Sequence, residues 1–367
     1  MEGWTDPLEL EGEGRGALVE PSSDLDCGNS GTSMRLLSGM LAAAPFTCRL
    51  TGDASLSARP MERVAVPLRL MGADVRTTDG HAPVRITGTA LNRIVHRLDV
   101  PTAQVKAAIL LAGLAAEGET VVVEAAPTRD HTELALEALG APVRRDGTSV
   151  AISPFQQGGF EATVPGDVSS AAFLIGAAGL IGAEIAIDEV GVNPTRLGFL
   201  EVLGRMGLHT DVAVTAEQLG EPVGTIHVRH PGPLTGTMID ERELPAVIDE
   251  VPVLAAVAAC AAGETRFLGA GELRVKESDR LTSVAEGIRA LGGHAAAEGE
   301  DLVVAGGGLR GGVVSSGGDH RLAMAFAVAA AGADEPSEID EIEAADVSFP
   351  GFVDAIRSIG ISAEALG

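Results

Sequence analysis

Leu68-Arg69-Leu70-Met71-Gly72-Ala73-Asp74-Val75 reads as the last turn of a helix, a glycine stop and the start of a strand, because glycine takes the left-handed conformation that closes a helix without steric cost. The same ending recurs around Gly140 (Ala135 to Val143), Gly207 (Leu203 to Leu208) and Gly292 (Ile288 to Gly293), and again at Gly360. The glycines are 68, 67, 85 and 68 residues apart. Spacing this regular marks an internal repeat, longer than the usual solenoid unit. Around each glycine the pattern is a polar signature, an Ala/Leu-rich helix, a strand, a second helix and two alternating strands. The chain therefore reads as an α/β protein built from repeated modules.

The first helices are unusual. Leu36 to Pro45, Ala107 to Ala116, Ala171 to Ala183, Val253 to Ala262 and Leu322 to Ala331 are apolar nearly all round, which predicts that they are buried. Polar residues introduce each one: Gly28-Asn29-Ser30-Gly31-Thr32-Ser33-Met34-Arg35, Thr102-Ala103-Gln104-Val105-Lys106, Gly166-Asp167-Val168-Ser169-Ser170, Asp249-Glu250 and Gly318-Asp319-His320-Arg321. Helix N-termini carry unpaired amide donors and a positive dipole end, so several converging N-termini would hold a multiply charged anion. Capping accounts for Asp167, Ser169 and Ser170. It does not account for Arg35, Gln104 and Arg321. The turn-rich stretch from Gln156 to Gly166 divides the repeats evenly, which predicts two domains, 1–165 and 166–367.

At 367 residues and 46% hydrophobic, the chain can build substantial cores. A net charge of -26 argues against nucleic acid or an anionic membrane surface as a partner. Cys27, Cys48 and Cys260 are too few and too scattered for a disulfide framework or a metal cage. The opening Met1-Glu2-Gly3-Trp4-Thr5-Asp6 is no signal peptide, and apolar runs such as Ala171 to Ala183 are too short to span a bilayer. The expectation is a soluble cytoplasmic protein.

The chemistry concentrates in Leu273-Arg274-Val275-Lys276-Glu277-Ser278-Asp279-Arg280, which follows a strand-like run and precedes a helical pattern. Lysine occurs only at Lys106 and Lys276, although Lys plus Arg total 26. Where arginine supplies the surface charge, a retained lysine points to a need for a compact, titratable ammonium. Lys276, Glu277 and Asp249 are the inventory for removing a hydroxyl proton and delivering a proton elsewhere. Arg35, Arg59, Arg129, Arg280 and Arg321 suit phosphate or carboxylate groups. No nucleotide-binding glycine loop, metal-ligand spacing or nucleophile elbow is present in the sequence. The pattern points to group transfer between anions with no cofactor and no metal.

Through these motifs, together with Arg59-Pro60 and Thr128-Arg129-Asp130-His131, the whole chain resembles the 5-enolpyruvylshikimate-3-phosphate synthase family. The resemblance implies transfer of the enolpyruvyl group from phosphoenolpyruvate to the 5-hydroxyl of shikimate 3-phosphate. It implies an enolpyruvyl transferase fold, a two-domain inside-out α/β barrel of six βαβαββ units with the active site in the cleft between the domains. It places Thr102, Ala103, Gln104, Thr128, Arg129, Asp249 and Lys276 against shikimate 3-phosphate. Asn29, Gly31, Thr32, Arg35, Arg59, Gln104, Arg280 and Arg321 face phosphoenolpyruvate. Asp249, Lys276 and Glu277 become the acid-base groups, in a monomer sensitive to glyphosate. UDP-N-acetylglucosamine enolpyruvyl transferase is the nearest alternative, but its reactive cysteine is absent from Ser55-Leu56-Ser57-Ala58. A non-catalytic anion-binding copy is the other.

Three departures from the family pattern are visible. Its early Lys-Ser-x-x-x-Arg motif is not found, a late lysine is replaced by Val347, and an asparagine by Glu272. Counting repeats back from Gly72 predicts that a segment of about 60 residues precedes Met1 and supplies that motif, and that without it strand edges stay uncovered and activity is low.

Overall fold

The computed structural model describes residues 9, 11–229 and 232–364. The opening six residues, expected to hold no signal peptide, lie outside the described residues. The chain divides into two compact units, one running up to Ala162 and including Leu219–Glu221, the other made of Thr163–Gln218 and the chain from Pro222 onward. Each unit has its own hydrophobic core.

In the amino-terminal unit, strand Leu25–Asp26, helix α1 (Gly31–Leu41), strand Thr47–Thr51, helix α2 (Glu62–Leu70) and the hairpin Asp74–Thr78/His81–Thr87 form one βαβαββ module. Its first two strands are parallel, with Leu25 opposite Leu50, and the last two are antiparallel to their neighbours. A second module repeats this order with Val95–Arg97, α3 (Ala103–Gly113), Thr120–Val123, α4 (His131–Ala138) and the hairpin Val143–Asp146/Ser149–Ile152. Helices α1 and α3 pack directly together. Gly39 permits this, since a Cβ there would lie 2.1 Å from the Ala108 carbonyl oxygen.

The carboxy-terminal unit opens with α5 (Val168–Ile181), followed by Ile185–Gly191, α6 (Gly198–Arg205) and the hairpin His209–Gln218/Glu221–Arg229. Here the leading strand is reduced to a single parallel bridge, Gly166 to Val190. A complete module follows: Met238–Ile239, α7 (Val251–Cys260), Glu264–Phe267, α8 (Arg280–Ala290) and His294–Glu298/Asp301–Ala305. The last described elements are parallel strands Val313–Ser315 and Glu338–Asp340 with α9 (His320–Ala331) and α10 (Phe352–Ser358). Five of the six implied modules are thus represented among the described residues.

Helices α3, α5, α7 and α9 are buried along most of their length as expected, whereas α1 is only partly buried and leaves Met40 40% exposed. Each helix begins a few residues before its apolar run. Helices α5, α7 and α9 pack on one another at the centre of their unit. A Cβ on Gly176 would meet Val253 Cγ2 at 2.8 Å. The five repeat glycines all have positive φ, from 81° to 112°, which explains why the helix stops are glycine. The one longer spacing reflects the longer hairpin His209–Gln218/Glu221–Arg229, the short helix Leu244–Val247 and a 3-10 helix at Ala270–Val275.

That 3-10 helix corrects the sequence reading before Lys276. The strand ends at Phe267, and the chain turns through left-handed Gly269 into the 3-10 helix. Residues at i and i+3 eclipse in such a helix, so Ala270 and Leu273 are buried side by side. Lys276 to Asp279 then link it to α8.

Candidate active site

In the amino-terminal unit the expected anion ligands gather at the N-termini of α1 and α3. The Ser30 hydroxyl caps α1 by accepting from the Ser33 amide, which leaves Gly31 as its first residue. One turn on, Arg35 bonds to the Gln104 side-chain oxygen and donates to the Pro60 carbonyl at 3.4 Å. Gln104 in turn donates to Thr32 Oγ1 at 2.7 Å. Arg59 is 8% exposed and donates to Asn29 Oδ1 at 2.7 Å, while Asn29 donates to Asp53 at 2.7 Å. Two guanidiniums therefore flank Gly31. A Cβ there would fall 2.9 Å from Arg35 Nη1 and 3.2 Å from Arg59 Nη1. Paired guanidinium forks above a helix N-terminus suit a small anion with a carboxylate or phosphate.

Thr102 and Ala103 open α3 beside Gln104, with Thr102 at the N-cap. Thr128 and Arg129 lie just before α4. Thr128 Oγ1 donates to Glu124 Oε1, whose other oxygen accepts from Lys106 Nζ at 2.9 Å. The same ammonium lies 2.7 Å from Glu133 Oε1, and Lys106, Glu124 and Glu133 are all buried. Lys106 is therefore sequestered in an ion triad. Lys106 itself is 1% exposed.

In the carboxy-terminal unit, Lys276 Nζ lies 3.3 Å from Asp249 Oδ1, and Arg321 Nη1 donates to the Asp249 carbonyl at 3.0 Å. Asp249 sits just ahead of the α7 N-terminus and Lys276 just ahead of α8. Glu277 pairs with Arg280 Nη2 at 2.7 Å. Arg280 is 1% exposed and also engages both oxygens of Asp319, at 2.8 and 3.0 Å. Asp319 accepts from Ser278 at 2.8 Å and caps α9 through the Arg321 and Leu322 amides. Arginine, lysine and carboxylates thus alternate around three helix starts.

The electrostatics follow from these contacts. Burial pushes the Asp319 carboxyl up, but the Arg280 charge and the hydrogen bonds from Arg280 and Ser278 outweigh it and hold it below the usual carboxylate range. Burial opposes the charge on Arg321 too, yet Asp249, Glu250, Asp167 and Glu277 raise its pKa. His320 is lowered by burial and by Arg321 and Arg280, so it stays neutral at physiological pH.

A further cluster is not apparent in sequence, and it corrects the capping expected of Ser169, since Asp167 caps α5 and the Ser169 hydroxyl goes to Glu250. Ser169 Oγ donates to Glu250 Oε1 at 2.5 Å, and Arg196 Nη2 lies 3.2 Å from the same oxygen. Glu250 is 1% exposed and adjoins Asp249. The available signal was Arg196 opening a second helix and a carboxylate pair at Asp249-Glu250, but neither residue carries its partner in sequence. Among the described residues no group of His, Cys, Asp and Glu is placed to hold a metal. The three cysteines are free.

Comparison with known proteins completes the description. The family model for EPSP synthase (3-phosphoshikimate 1-carboxyvinyltransferase) matches residues 5–356. The 3-phosphoshikimate 1-carboxyvinyltransferase of Methylococcus capsulatus is 50% identical over 364 residues, covering 97% of this chain and 82% of the relative. That of Halorhodospira halophila is 49% identical over 365 residues, covering 98% and 82%. A solved EPSP synthase from Acinetobacter baumannii superposes with a TM-score of 0.83 at 44% identity, covering 95% of this chain and 81% of that one.

Proposed function

The chain belongs to the EPSP synthase family, and from that premise we propose which of its residues carry the family's reaction. The activity is transfer of the enolpyruvyl group of phosphoenolpyruvate to the 5-hydroxyl of shikimate 3-phosphate, with release of phosphate. The fold is the inside-out α/β arrangement of repeated modules with helices at the core.

Forming the new bond takes the hydroxyl oxygen to C2 of phosphoenolpyruvate, removes the hydroxyl proton and adds a proton to the methylene carbon. Expelling phosphate then takes a proton back from that carbon. Two proton-handling groups are needed. Asp249 takes the hydroxyl proton, and the Lys276 ammonium 3.3 Å away stabilises the charge that develops on oxygen and exchanges a proton with the same centre. Glu277 serves the methylene carbon. It pairs with Arg280 at 2.7 Å while Asp249 pairs with Lys276 at 3.3 Å, and this placing of each carboxylate beside a cation is the observation that carries the assignment.

Arg35, Arg59, Gln104, Asn29, Thr32 and Gly31 receive phosphoenolpyruvate in the amino-terminal unit, and Arg280 and Arg321 receive it in the carboxy-terminal unit. Thr102, Ala103, Gln104, Thr128 and Arg129, with Asp249 and Lys276, receive shikimate 3-phosphate. No cofactor or nucleic acid takes part, and the enzyme acts as a cytoplasmic monomer. The surface charge supports this, since a net charge of -26 disfavours nucleic acid. Among the described residues no helix is long and apolar enough to cross a membrane.

Phosphate release from phosphoenolpyruvate, measured with and without shikimate 3-phosphate, tests the activity. Asp249→Asn and Glu277→Gln test the assignment: each lowers kcat more than it raises either KM. Unchanged kcat in both would move the proton transfers to other groups.

A further inference from the structure

The buried triad of Lys106, Glu124 and Glu133 lies beneath a segment of the substrate site and has no role in the assignments above. Burying one ammonium and two carboxylates is costly unless each is well paired, and here the pairing is directional. Lys106 projects from α3, two residues after Gln104. It holds Glu124 Oε2 at 2.9 Å, and the second Glu124 oxygen accepts the Thr128 hydroxyl. Glu133, from the first turn of α4, fixes the ammonium from the other side at 2.7 Å. Burial pushes the Glu133 carboxyl up, and the Lys106 charge opposes that. One ammonium thereby ties together α3, the end of strand Thr120–Val123, the Thr128–Arg129 segment and α4.

We infer that Lys106, acting through Glu124, is a positioning residue for the Thr128–Arg129 segment that receives shikimate 3-phosphate. This inference rests on the assignment of that segment in the proposed function. Two chemical consequences follow. A threonine hydroxyl has one proton, and Thr128 spends it on Glu124, so Thr128 presents only lone pairs to a ligand. A phosphate oxygen also only accepts, so Arg129 must make the anion contact of this segment. Lys106 then determines where Arg129 is held without touching the substrate itself.

The test is steady-state kinetics on Lys106→Met, Glu124→Gln, Thr128→Val, the Glu124→Gln/Thr128→Val double variant, Thr128→Ser and Arg129→Gln, each with a melting temperature. Lys106→Met, Glu124→Gln and Thr128→Val are expected to raise the KM for shikimate 3-phosphate about fivefold or more while leaving kcat and the KM for phosphoenolpyruvate within about twofold. The double variant is expected to be no worse than its worse parent, because both changes cut the same link. Thr128→Ser, which keeps the hydroxyl, should raise the KM for shikimate 3-phosphate by a smaller factor than Thr128→Val. A merely structural triad would lower melting temperature and raise both KM values together. That result, multiplying effects in the double variant, or an unchanged KM for shikimate 3-phosphate would overturn the inference. If Lys106→Met fails to fold, Glu124→Gln decides, since glutamine matches its shape and Glu124 is not assigned to the substrate. Arg129→Gln separates the two levels of the argument. If it raises that KM while Thr128→Val and Glu124→Gln do not, the positioning role fails and the substrate assignment stands. If Arg129→Gln is silent, the substrate assignment of the segment fails first.

Discussion

The Arg280 guanidinium meets the Asp319 carboxylate along two edges, Nε to Oδ2 at 2.8 Å and Nη2 to Oδ1 at 3.0 Å, with both side chains 1% exposed. This pair joins the start of α8 to the start of α9, and it aims an arginine already assigned to phosphoenolpyruvate. A two-point pair fixes the plane of the guanidinium as well as its place.

Asp319→Asn should therefore destabilise the protein by about 3 kcal/mol at pH 7, because the buried Arg280 charge loses its two-point partner and keeps the pair with Glu277. The pH dependence has a definite sign. The Asp319 carboxyl is lowered on folding, so its contribution is complete above the unfolded value of about 3.9 and is lost as pH falls through the lower folded value. Urea unfolding of the wild type and the variant should differ fully at pH 7 and progressively less below about pH 4. A difference constant into strong acid would show that charge pairing is not its source.

Lys276→Arg should lower kcat by more than about tenfold, or roughly 1.4 kcal/mol. Arginine keeps the charge beside Asp249, but its planar fork cannot replace an ammonium at 3.3 Å and it does not release a proton. Single-turnover rates of the two proteins provide the check, and a smaller loss would remove Lys276 from the proton-handling group.

Gly31→Ala places a methyl group 2.9 Å from Arg35 Nη1 and 3.2 Å from Arg59 Nη1. Both guanidiniums must give way, so the space between them shrinks. Glyphosate is bulkier than phosphoenolpyruvate, and its inhibition constant should rise by a larger factor than the KM for phosphoenolpyruvate. Equal factors for the two ligands would place neither of them at Gly31.

Gly39→Ala acts on the fold that carries this site. Its Cβ would lie 2.1 Å from the Ala108 carbonyl oxygen and 2.8 Å from the Ala108 carbonyl carbon, and backbone atoms of a helix cannot rotate aside. Helices α1 and α3 would have to separate, at about 1–3 kcal/mol. Because these helices bear Arg35 and Gln104, the KM for phosphoenolpyruvate should rise along with the loss of stability. Equilibrium denaturation showing no loss would mean that the helices are not held in this contact.

The sequence by itself determined the repeat, its helix stops and its buried helices. Each rests on local chemistry: positive φ selects glycine at Gly72 or Gly292, and an all-apolar surface leaves α7 no stable place but the core. The residues proposed for the anion sites were also legible, because Arg35, Gln104 and Arg321 lie near helix starts at positions that capping does not explain. Only the tertiary structure decided the partners. Lys106 finds its carboxylates 18 and 27 positions further along the chain, Arg280 finds Asp319 39 positions away, and Ser169 finds Glu250 81 positions away. No local pattern encodes those distances. The 3-10 helix between strand Glu264–Phe267 and Lys276 was not legible for the same reason, since burying Ala270 and Leu273 is a packing gain that the isolated segment cannot register. An ionisable side chain in a low-dielectric interior is governed by whichever opposite charge the fold brings within reach, and that is why Glu277 faces Arg280 although Lys276 is its neighbour in sequence.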